Sequence, residues 1–269
     1  MKPSAWTSAD SRELKVIRGV CLDIDDTLST SGKLTSEAYD ALWRLKQAGF
    51  AVIPITGRPA GWCDHFARFW PVDAIVGENG AFTFFMKEGV RRRLDTPAGA
   101  TFGELKARLT ALSEKILKRF PQARWASDQL YREYDLAIDI CEDVPPWRRD
   151  QVDELLELCW KEGAHAKLSS IHVNAWFGEY DKKKGLEHWL SQGAPGLALE
   201  PRPQWEELLF IGDSPNDEPM FASFRYSVGV ANLIQYLDRL KSPPRWLTLS
   251  ESGQGFIEMA DKLIASRNQ

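Results

Sequence analysis

The stretch at residues 21–28, CLDIDDTL, places three aspartates in an otherwise apolar run. An ionised carboxylate in a dry interior is costly unless it is paired or bound to a metal ion. We therefore expect Asp23, Asp25 and Asp26 to lie where a buried strand leaves its sheet, not inside the sheet. This requirement limits the chain to folds in which the ends of buried strands open onto a polar cleft.

The rest of the sequence excludes several classes of protein. Its 269 residues are 43% hydrophobic and 27% charged, with a net charge of −4, which is typical of a globular protein and argues against a nucleic-acid partner. We expect no membrane partner, because no stretch is apolar enough for a spanning helix or secretory signal. Four widely spaced cysteines without a CxxC pair indicate reduced thiols and a cytoplasmic location. Residues 1–15 are polar and are expected to form a flexible N-terminal arm.

Apolar runs alternate with helical patterns in two separate parts of the chain. Residues 16–81 and 181–269 show this alternation, which predicts an α/β fold with a doubly wound, Rossmann-like parallel sheet. Residues 82–180 instead combine strands of alternating polarity with two long amphipathic helices, and we interpret them as an inserted α+β cap domain. Ligands of such cores bind at the carboxyl ends of the strands. The site is therefore expected where the aspartates leave the sheet.

Polar residues follow three of the predicted core strands. Parallel strand ends converge on one edge, so side chains distant in sequence are expected to meet there. Clustered carboxylates raise one another's pKa unless a cation neutralises them, and hard oxygen ligands favour Mg2+ over zinc. The candidate metal ligands are Asp23, Asp25, Asp213 and Asp217.

An aspartate beside Mg2+ and a lysine is a competent nucleophile toward phosphorus. Lysines at 182 to 184 begin a predicted helix near this edge. The backbone N–H groups of the Asp26–Thr27 turn, the Thr56 hydroxyl and one of these lysines are candidates for holding phosphoryl oxygens. The residues by themselves therefore favour phosphoryl transfer.

Four short motifs occur in a fixed order around the insertion: DIDDT, ITGRP, DK and GDSPND. They resemble the four motifs of the haloacid dehalogenase superfamily of phosphohydrolases, from about Val20 to the C-terminus. The large insertion between the second and third motifs, preceded by GENGA, is similar to that of the subfamily IIB sugar phosphatases. The resemblance implies a Mg2+-dependent phosphatase, monomeric or homodimeric, that hydrolyses a small phosphorylated metabolite such as a sugar phosphate through an aspartyl-phosphate intermediate.

The resemblance also implies roles for single residues. Asp23 would be the nucleophile, Asp25 the general acid and base, and Thr56 a phosphoryl ligand. Asp213 would bind Mg2+ with Asp23 and the Asp25 carbonyl, supported by the rest of its loop. Asp26 stands where many relatives carry glycine. The candidate phosphate- and substrate-binding residues are Asp26, Thr27, Gly57, Arg58, His172, Asn174 and Asn216.

The choice of catalytic lysine depends on the residues that follow it. The family pattern has small and aliphatic residues three and four positions after the lysine, and Lys182 is followed in this way by Gly185 and Leu186. Asp181 is a good N-cap for a helix that begins at Lys182. We therefore assign Lys182, with Lys184 as the alternative.

The inserted domain is expected to determine substrate specificity. In the segment from Ser170 to Trp176, alternation puts Ser170, His172, Asn174 and Trp176 on one face, with Ile171 on the other. His172 and Asn174 are candidates for contacts with hydroxyl or phosphate groups, and Arg58 is a candidate anion contact. Two other functions remain open: a phosphomutase or phosphotransferase, and a phosphoacceptor signalling domain. Signalling domains of that kind are about half this length and lack both GDSPND and a cap.

Overall fold

The computed structural model describes residues 2–267. Its strands are β1 (Ser4–Ala5), β2 (Gly19–Leu22), β3 (Ala51–Pro54), β4 (Ala74–Gly77), β5 (Phe82–Lys87), β6 (Val90–Asp95), β7 (Arg124–Trp125), β8 (Asp135–Asp139), β9 (His165–Leu168), β10 (His172–Trp176), β11 (Leu208–Gly212), β12 (Tyr226–Gly229) and β13 (Trp246–Leu247). Its α-helices are α1 (Ser11–Leu14), α2 (Ser36–Gln47), α3 (Ala60–Phe69), α4 (Phe102–Arg119), α5 (Arg149–Lys161), α6 (Lys182–Ser191), α7 (Glu218–Ser223) and α8 (Ser252–Arg267).

The core is a six-stranded parallel sheet in the order β1-β13-β12-β11-β2-β3. The strands β2, β3 and β11 are apolar and buried at every position because helices cover both faces of the sheet. Val20 and Leu22 of β2 pack with α2 and α8 on one face, whereas Cys21 packs with α6 and α7 on the other. The sheet is therefore doubly wound, and β2 and β11 lie side by side in its interior.

A hairpin extends this sheet beyond β3. Thr56 donates its backbone N–H to the carbonyl of Val76 in β4, and β4 pairs with the antiparallel hairpin of β5 and β6. The residues from Phe82 to Asp95, which we assigned to the insertion, are thus paired with the core. Their alternating polarity indicates an antiparallel hairpin but does not specify the strand against which it pairs.

The insertion forms a four-stranded sheet in the order β7-β8-β10-β9, with α4 and α5 packed on one face. All of its pairs are antiparallel. The helix α4 begins with a capping box in which Thr101 and Glu104 exchange hydrogen bonds. The parallel core and this α+β unit confirm the predicted fold class.

The N-terminal segment corrects the expectation of a flexible arm. β1 pairs with β13, and Trp6 is completely buried, with its ring centroid 5.4 Å from that of Trp246 in an edge-to-face arrangement. Leu14 is also buried in the core. The average polarity of residues 1–15 concealed these two apolar anchors. Across residues 2–267, each helix is too short or too polar to cross a lipid bilayer.

Candidate active site

The loop after β2 makes an abrupt turn at its second and third aspartates. Asp26 has a φ of 51°, in the left-handed region that favours glycine. Its backbone N–H donates to Ser29 Oγ at 3.2 Å, and its carbonyl accepts from Asn232 Nδ2 at 3.0 Å. The Asp26 amide is thus already used within the turn, and Asn232 is a loop-positioning residue that sequence reasoning missed.

Three carboxylates meet beside this loop. Leu22 pairs with Ile211 across β2 and β11, so Asp23 and Asp213 leave the sheet next to one another. Each of Asp23, Asp213 and Asp217 contributes an oxygen to a group whose members all lie within 4.8 Å of one another. We call these three residues with Lys182 the catalytic cluster.

Lys182 is the buried cation of the cluster. Its Nζ lies 2.7 Å from Asp217 Oδ1 and 3.0 Å from Asp23 Oδ1, and the residue is 2% exposed. Burial alone would lower its pKa, but Asp217 and Asp23 raise it, so Lys182 is charged. Lys184 instead lies on the surface, 3.7 Å from Glu179, and its backbone N–H is capped by the Asp181 side chain.

The carboxylates of the cluster carry more negative charge than Lys182 balances. Burial, together with repulsion from Asp217 and Asp25, raises the pKa of Asp23 to about 7 despite Lys182. Burial and repulsion from Asp23 also raise the pKa of Asp213. Among the described residues, the side-chain donors to Asp213 are the neutral Thr27 Oγ1 and Asn232 Nδ2. Buried oxygen ligands with surplus negative charge fit a hard divalent cation such as Mg2+.

Two of the predicted metal ligands are engaged differently. The carboxylate of Asp25 lies outside the group of three and binds Arg58, which leaves its backbone carbonyl as the candidate ligand. Asp217 belongs to the group, but its Oδ2 accepts the backbone N–H groups of Asp213 and Ser214 while Oδ1 accepts from Lys182. Asp217 thereby fixes the loop and orients Lys182.

The second motif forms a tight loop beneath the cap. Thr56 is buried, and its Oγ1 accepts the backbone N–H of Arg58 at 3.0 Å. A Cβ at Gly57 would lie 3.3 Å from Asn79 Nδ2 and 3.4 Å from Asn174 Oδ1, so a larger residue would crowd both amides. The absence of a side chain at Gly57 therefore lets the cap approach the core closely.

Arg58 joins the candidate general acid to the cap. Its Nε and Nη2 donate to both carboxylate oxygens of Asp25 at 2.8–3.1 Å. Its remaining contacts are with the cap residues Asp128, at 3.2 Å, and Glu142, at 2.7 Å. The predicted anion-binding arginine is thus held by three carboxylates of the protein.

The two candidate cap residues lie at the site, bound to cap carboxylates. His172 Nε2 is 2.8 Å from Glu142 Oε2, and Asn174 Nδ2 donates to Asp135 Oδ2 at 2.8 Å. Although burial alone would raise it, hydrogen bonds from His172 and Arg58 lower the pKa of Glu142 to about 2.

Sequence reasoning missed two charged residues that connect the cap to the core. Arg132 has a completely buried side chain and donates to the Gly57 carbonyl at 2.7 Å, while also binding Asp128 and Asp135. Glu78, in the GENGA turn, accepts the backbone N–H groups of Ala60, Glu133 and Tyr134. The glutamate between two glycines of the motif was the one available signal.

We call the following residues the interdomain network: Asp25, Arg58, Glu78, Asp128, Arg132, Asp135, Glu142 and His172.

A narrow cavity separates the catalytic cluster from the interdomain network. Ile171 lines it although alternation put Ile171 on the opposite face, because residues 169–171 form the turn before β10. Ser170, expected beside His172, lines a separate pocket with Cys141 and Tyr236. The cavity lining consists of Asp23, Asp25, Gly57, Arg58, Arg132, Ser169, Ile171, His172, Asn174 and Asn216.

Comparisons with known proteins agree with this geometry. Residues 20–96 match a family described as haloacid dehalogenase-like hydrolase. A phosphoglycolate phosphatase from Nitrosopumilus maritimus is 24% identical over 255 residues, which are 91% of this chain and 96% of that protein. The C-terminal domain of the C. albicans trehalose-6-phosphate phosphatase has a TM-score of 0.70 at 14% identity and covers 98% of both chains. The sucrose-phosphatase of Synechocystis, in complex with sucrose and phosphate, has a TM-score of 0.62 at 16% identity, covering 92% of this chain and 98% of that one.

Proposed function

We propose that this chain is a haloacid dehalogenase-like phosphoric monoester hydrolase, a Mg2+-dependent phosphatase that acts on a small sugar phosphate through an aspartyl-phosphate intermediate. The observation that carries the proposal is the buried contact of Lys182 with Asp23 and Asp217, next to Asp213. A buried nucleophile candidate, a fixed cation and surplus carboxylates in one cleft are the groups that phosphoryl transfer requires.

Asp23 is the nucleophile in this mechanism. One of its carboxylate oxygens attacks phosphorus and displaces the substrate alcohol, while Lys182 balances charge on the phosphoryl oxygens. Asp23, Asp213 and the Asp25 carbonyl, with Asp217 beside them, would hold Mg2+, which when bound neutralises carboxylate and phosphoryl charge. The Thr56 hydroxyl, at the end of the neighbouring strand, would donate to a phosphoryl oxygen.

Asp25 carries the proton in both half-reactions. It protonates the departing alkoxide in the first step and removes a proton from water in the second, when water attacks phosphorus and regenerates the Asp23 carboxylate. In this structure Arg58 donates to both Asp25 oxygens. The Asp25 carboxylate must therefore rotate away from Arg58 before catalysis, while Asp128 and Glu142 stay bound to Arg58.

The choice of a sugar phosphate rests on the character of the cap. His172 and Asn174 place hydrogen-bonding side chains over the cavity. Two of the matched structures are phosphatases named for sucrose and for trehalose 6-phosphate, whereas the matched curated protein is named for phosphoglycolate. These names set out the two substrate classes that have to be distinguished.

The test is a screen of phosphorylated metabolites and a generic aryl phosphate for Mg2+-dependent phosphate release. Asp23→Asn removes the nucleophile and is expected to reduce release by at least about 1000-fold, since triad-type nucleophile losses are of this order or larger. Asp40→Asn, on the exposed surface of α2, is the matched control. Full activity in Asp23→Asn would contradict the mechanism.

A further inference from the structure

The cations that line the cavity opposite the catalytic cluster are already paired with protein carboxylates. Arg58 binds Asp25, Asp128 and Glu142. Arg132 binds Asp128 and Asp135, and its side chain is completely buried. A substrate that brings a second anionic group into this cavity therefore finds both arginines occupied.

Glu142 adds a negative charge next to the part of the cavity lining that Arg58 and His172 form. It is half-buried, bound on one side by Arg58 and on the other by His172, and both of these residues line the cavity. Its low pKa, set by these two partners against the effect of burial, keeps it ionised throughout the neutral range. An incoming carboxylate would have to approach this charge at low effective dielectric, where repulsion is strong.

Displacement of Glu142 from Arg58 would not remove the repulsion between Glu142 and a substrate carboxylate. A substrate carboxylate that took the 2.7 Å position of Glu142 on Arg58 would leave Glu142 bound to His172 alone and still nearby. Arg58 would then face the substrate carboxylate together with Asp25 and Asp128. Such an exchange replaces one ion pair by another and adds an uncompensated carboxylate to the site.

The side chain near the cavity with unused hydrogen-bonding groups is the neutral amide of Asn79. Asn79 is 1% exposed, and both atoms of its side-chain amide lack a partner among the described residues. This amide lies beneath Gly57 and next to Asn174, both of which adjoin or line the cavity. A donor and an acceptor that are buried and unused suit a hydroxyl group or a water that bridges to one.

We propose that the leaving group is a neutral polyhydroxylated alcohol and that Glu142 excludes phosphate esters that carry a carboxylate. This inference rests on the proposed phosphatase function and selects between the substrate classes of its relatives. It places the selectivity in one ionised side chain of the cap, which accepts hydrogen bonds from hydroxyl groups and repels a second anion.

The experiment compares two phosphate esters that differ in one group, glycerol 3-phosphate and 3-phosphoglycerate. Each ester is measured as a substrate and as a competitive inhibitor of aryl phosphate hydrolysis. The inhibition constants then rank the two esters even when neither is hydrolysed quickly. Phosphoglycolate is included as a second carboxylated ester. We expect the protein to favour glycerol 3-phosphate at least about tenfold, in kcat/KM or in inhibition constant, as a repulsion of modest size would give.

Glu142→Gln tests the role of the charge because it keeps the size of the side chain. We expect the preference to fall by about tenfold or more, through a gain for 3-phosphoglycerate. Asp143→Asn removes the same charge from the neighbouring exposed residue and is expected to leave the ratio within about twofold, since its charge is screened by solvent.

The outcomes separate the two proposals. No phosphate release from any ester, the aryl phosphate included, overturns the proposed function and this inference with it. Release with equal use of the carboxylated esters, or an unchanged ratio in Glu142→Gln, overturns the inference alone. An equal change in Asp143→Asn also overturns it, because the effect would then come from overall charge and not from Glu142.

Discussion

The catalytic cluster and the interdomain network are both groups of buried charges, but they are neutralised in different ways. In the cluster, Lys182 is shared by Asp23 and Asp217, and the pKa of Asp23 is raised to about 7. In the network, Arg58 contributes to a pKa of about 2 for Glu142. At Asp23, burial and repulsion from other carboxylates outweigh the effect of Lys182, whereas at Glu142 the hydrogen bonds from His172 and Arg58 outweigh the effect of burial.

We therefore expect the catalytic cluster to need an added cation and the interdomain network not to need one. The cluster is expected to respond to Mg2+, because a divalent ion would stabilise its ionised carboxylates. The guanidinium groups of Arg58 and Arg132 already bind the carboxylates around them. Variants in the two regions should therefore differ in how they respond to the metal, and the following predictions test this separation.

The largest effect is expected from removal of the cluster cation. Lys182→Met keeps most of the side-chain volume but leaves Asp23 and Asp217 buried without it, which costs about 3–5 kcal/mol in the free energy of unfolding. Phosphate release should also fall by at least about 100-fold, as for the loss of one stabilising group. Lys184→Met, two residues away and exposed, should change stability by less than about 0.5 kcal/mol. Denaturant unfolding and initial rates measure both, and similar losses in the two variants would contradict the assignment.

Binding of Mg2+ should depend on the cluster alone. We expect Mg2+ to raise the Tm of the protein, because a ligand that binds only the folded state stabilises it by mass action. Asp213→Asn should abolish most of this rise, whereas Asp128→Asn in the network should lower the Tm but preserve the rise. A lost response in Asp128→Asn would show that the two regions are coupled.

The same contrast explains what the sequence predicted of the site. The cluster was predictable because aspartates after apolar strands are costly unless they are used, and parallel strands bring their ends together. Asp23, Asp213 and Lys182 therefore stood out from their neighbours in the sequence. Lys182 was chosen over Lys184 from the family pattern of small and aliphatic residues that follow the lysine and from the N-cap at Asp181. In the structure, Gly185 lies against the backbone of Gly80, where a Cβ would come within 2.7 Å.

The interdomain network gave no comparable signal. Arg58 and Glu142 are 84 residues apart, and Arg132 and Gly57 are 75 apart, so their pairing depends on how the cap docks on the core. A single arginine or glutamate in a loop has the same appearance in sequence whether it is solvated or buried. The prediction of a flexible N-terminal arm was wrong for a related reason. The contact of Trp6 with Trp246 and the pairing of β1 both depend on the position of β13.

The pH dependence of stability should also divide between the regions. Burial and repulsion from neighbouring carboxylates raise the folded-state pKa of Asp23 from 3.8 and that of Glu78 from 4.5, both to about 7. The folded state then binds these protons more tightly than the unfolded state, so stability falls as the pH rises from about 4 to about 7. Saturating Mg2+ should remove the Asp23 part, and Glu78→Gln the remaining part. Tm measured from pH 5 to 8 with chelator or Mg2+ checks this, and a slope unaffected by both changes would contradict it.

A smaller effect is expected from a change in the network that preserves its charge. Arg132→Lys keeps a cation, but a single ammonium group cannot reproduce the fork with which Arg132 reaches Asp128, Asp135 and the Gly57 carbonyl. The loss of one or two charge-assisted hydrogen bonds should cost about 1–3 kcal/mol, or about 2–4 °C in Tm for each kcal/mol. Arg119→Lys, on the exposed surface of α4, is the control and should change stability by less than about 0.5 kcal/mol.

Because Arg132 has no part in the cluster, the rise in Tm with Mg2+ should be the same in Arg132→Lys as in the parent protein. A smaller rise would mean that docking of the cap helps to assemble the metal site, and the two regions would then have to be treated as one.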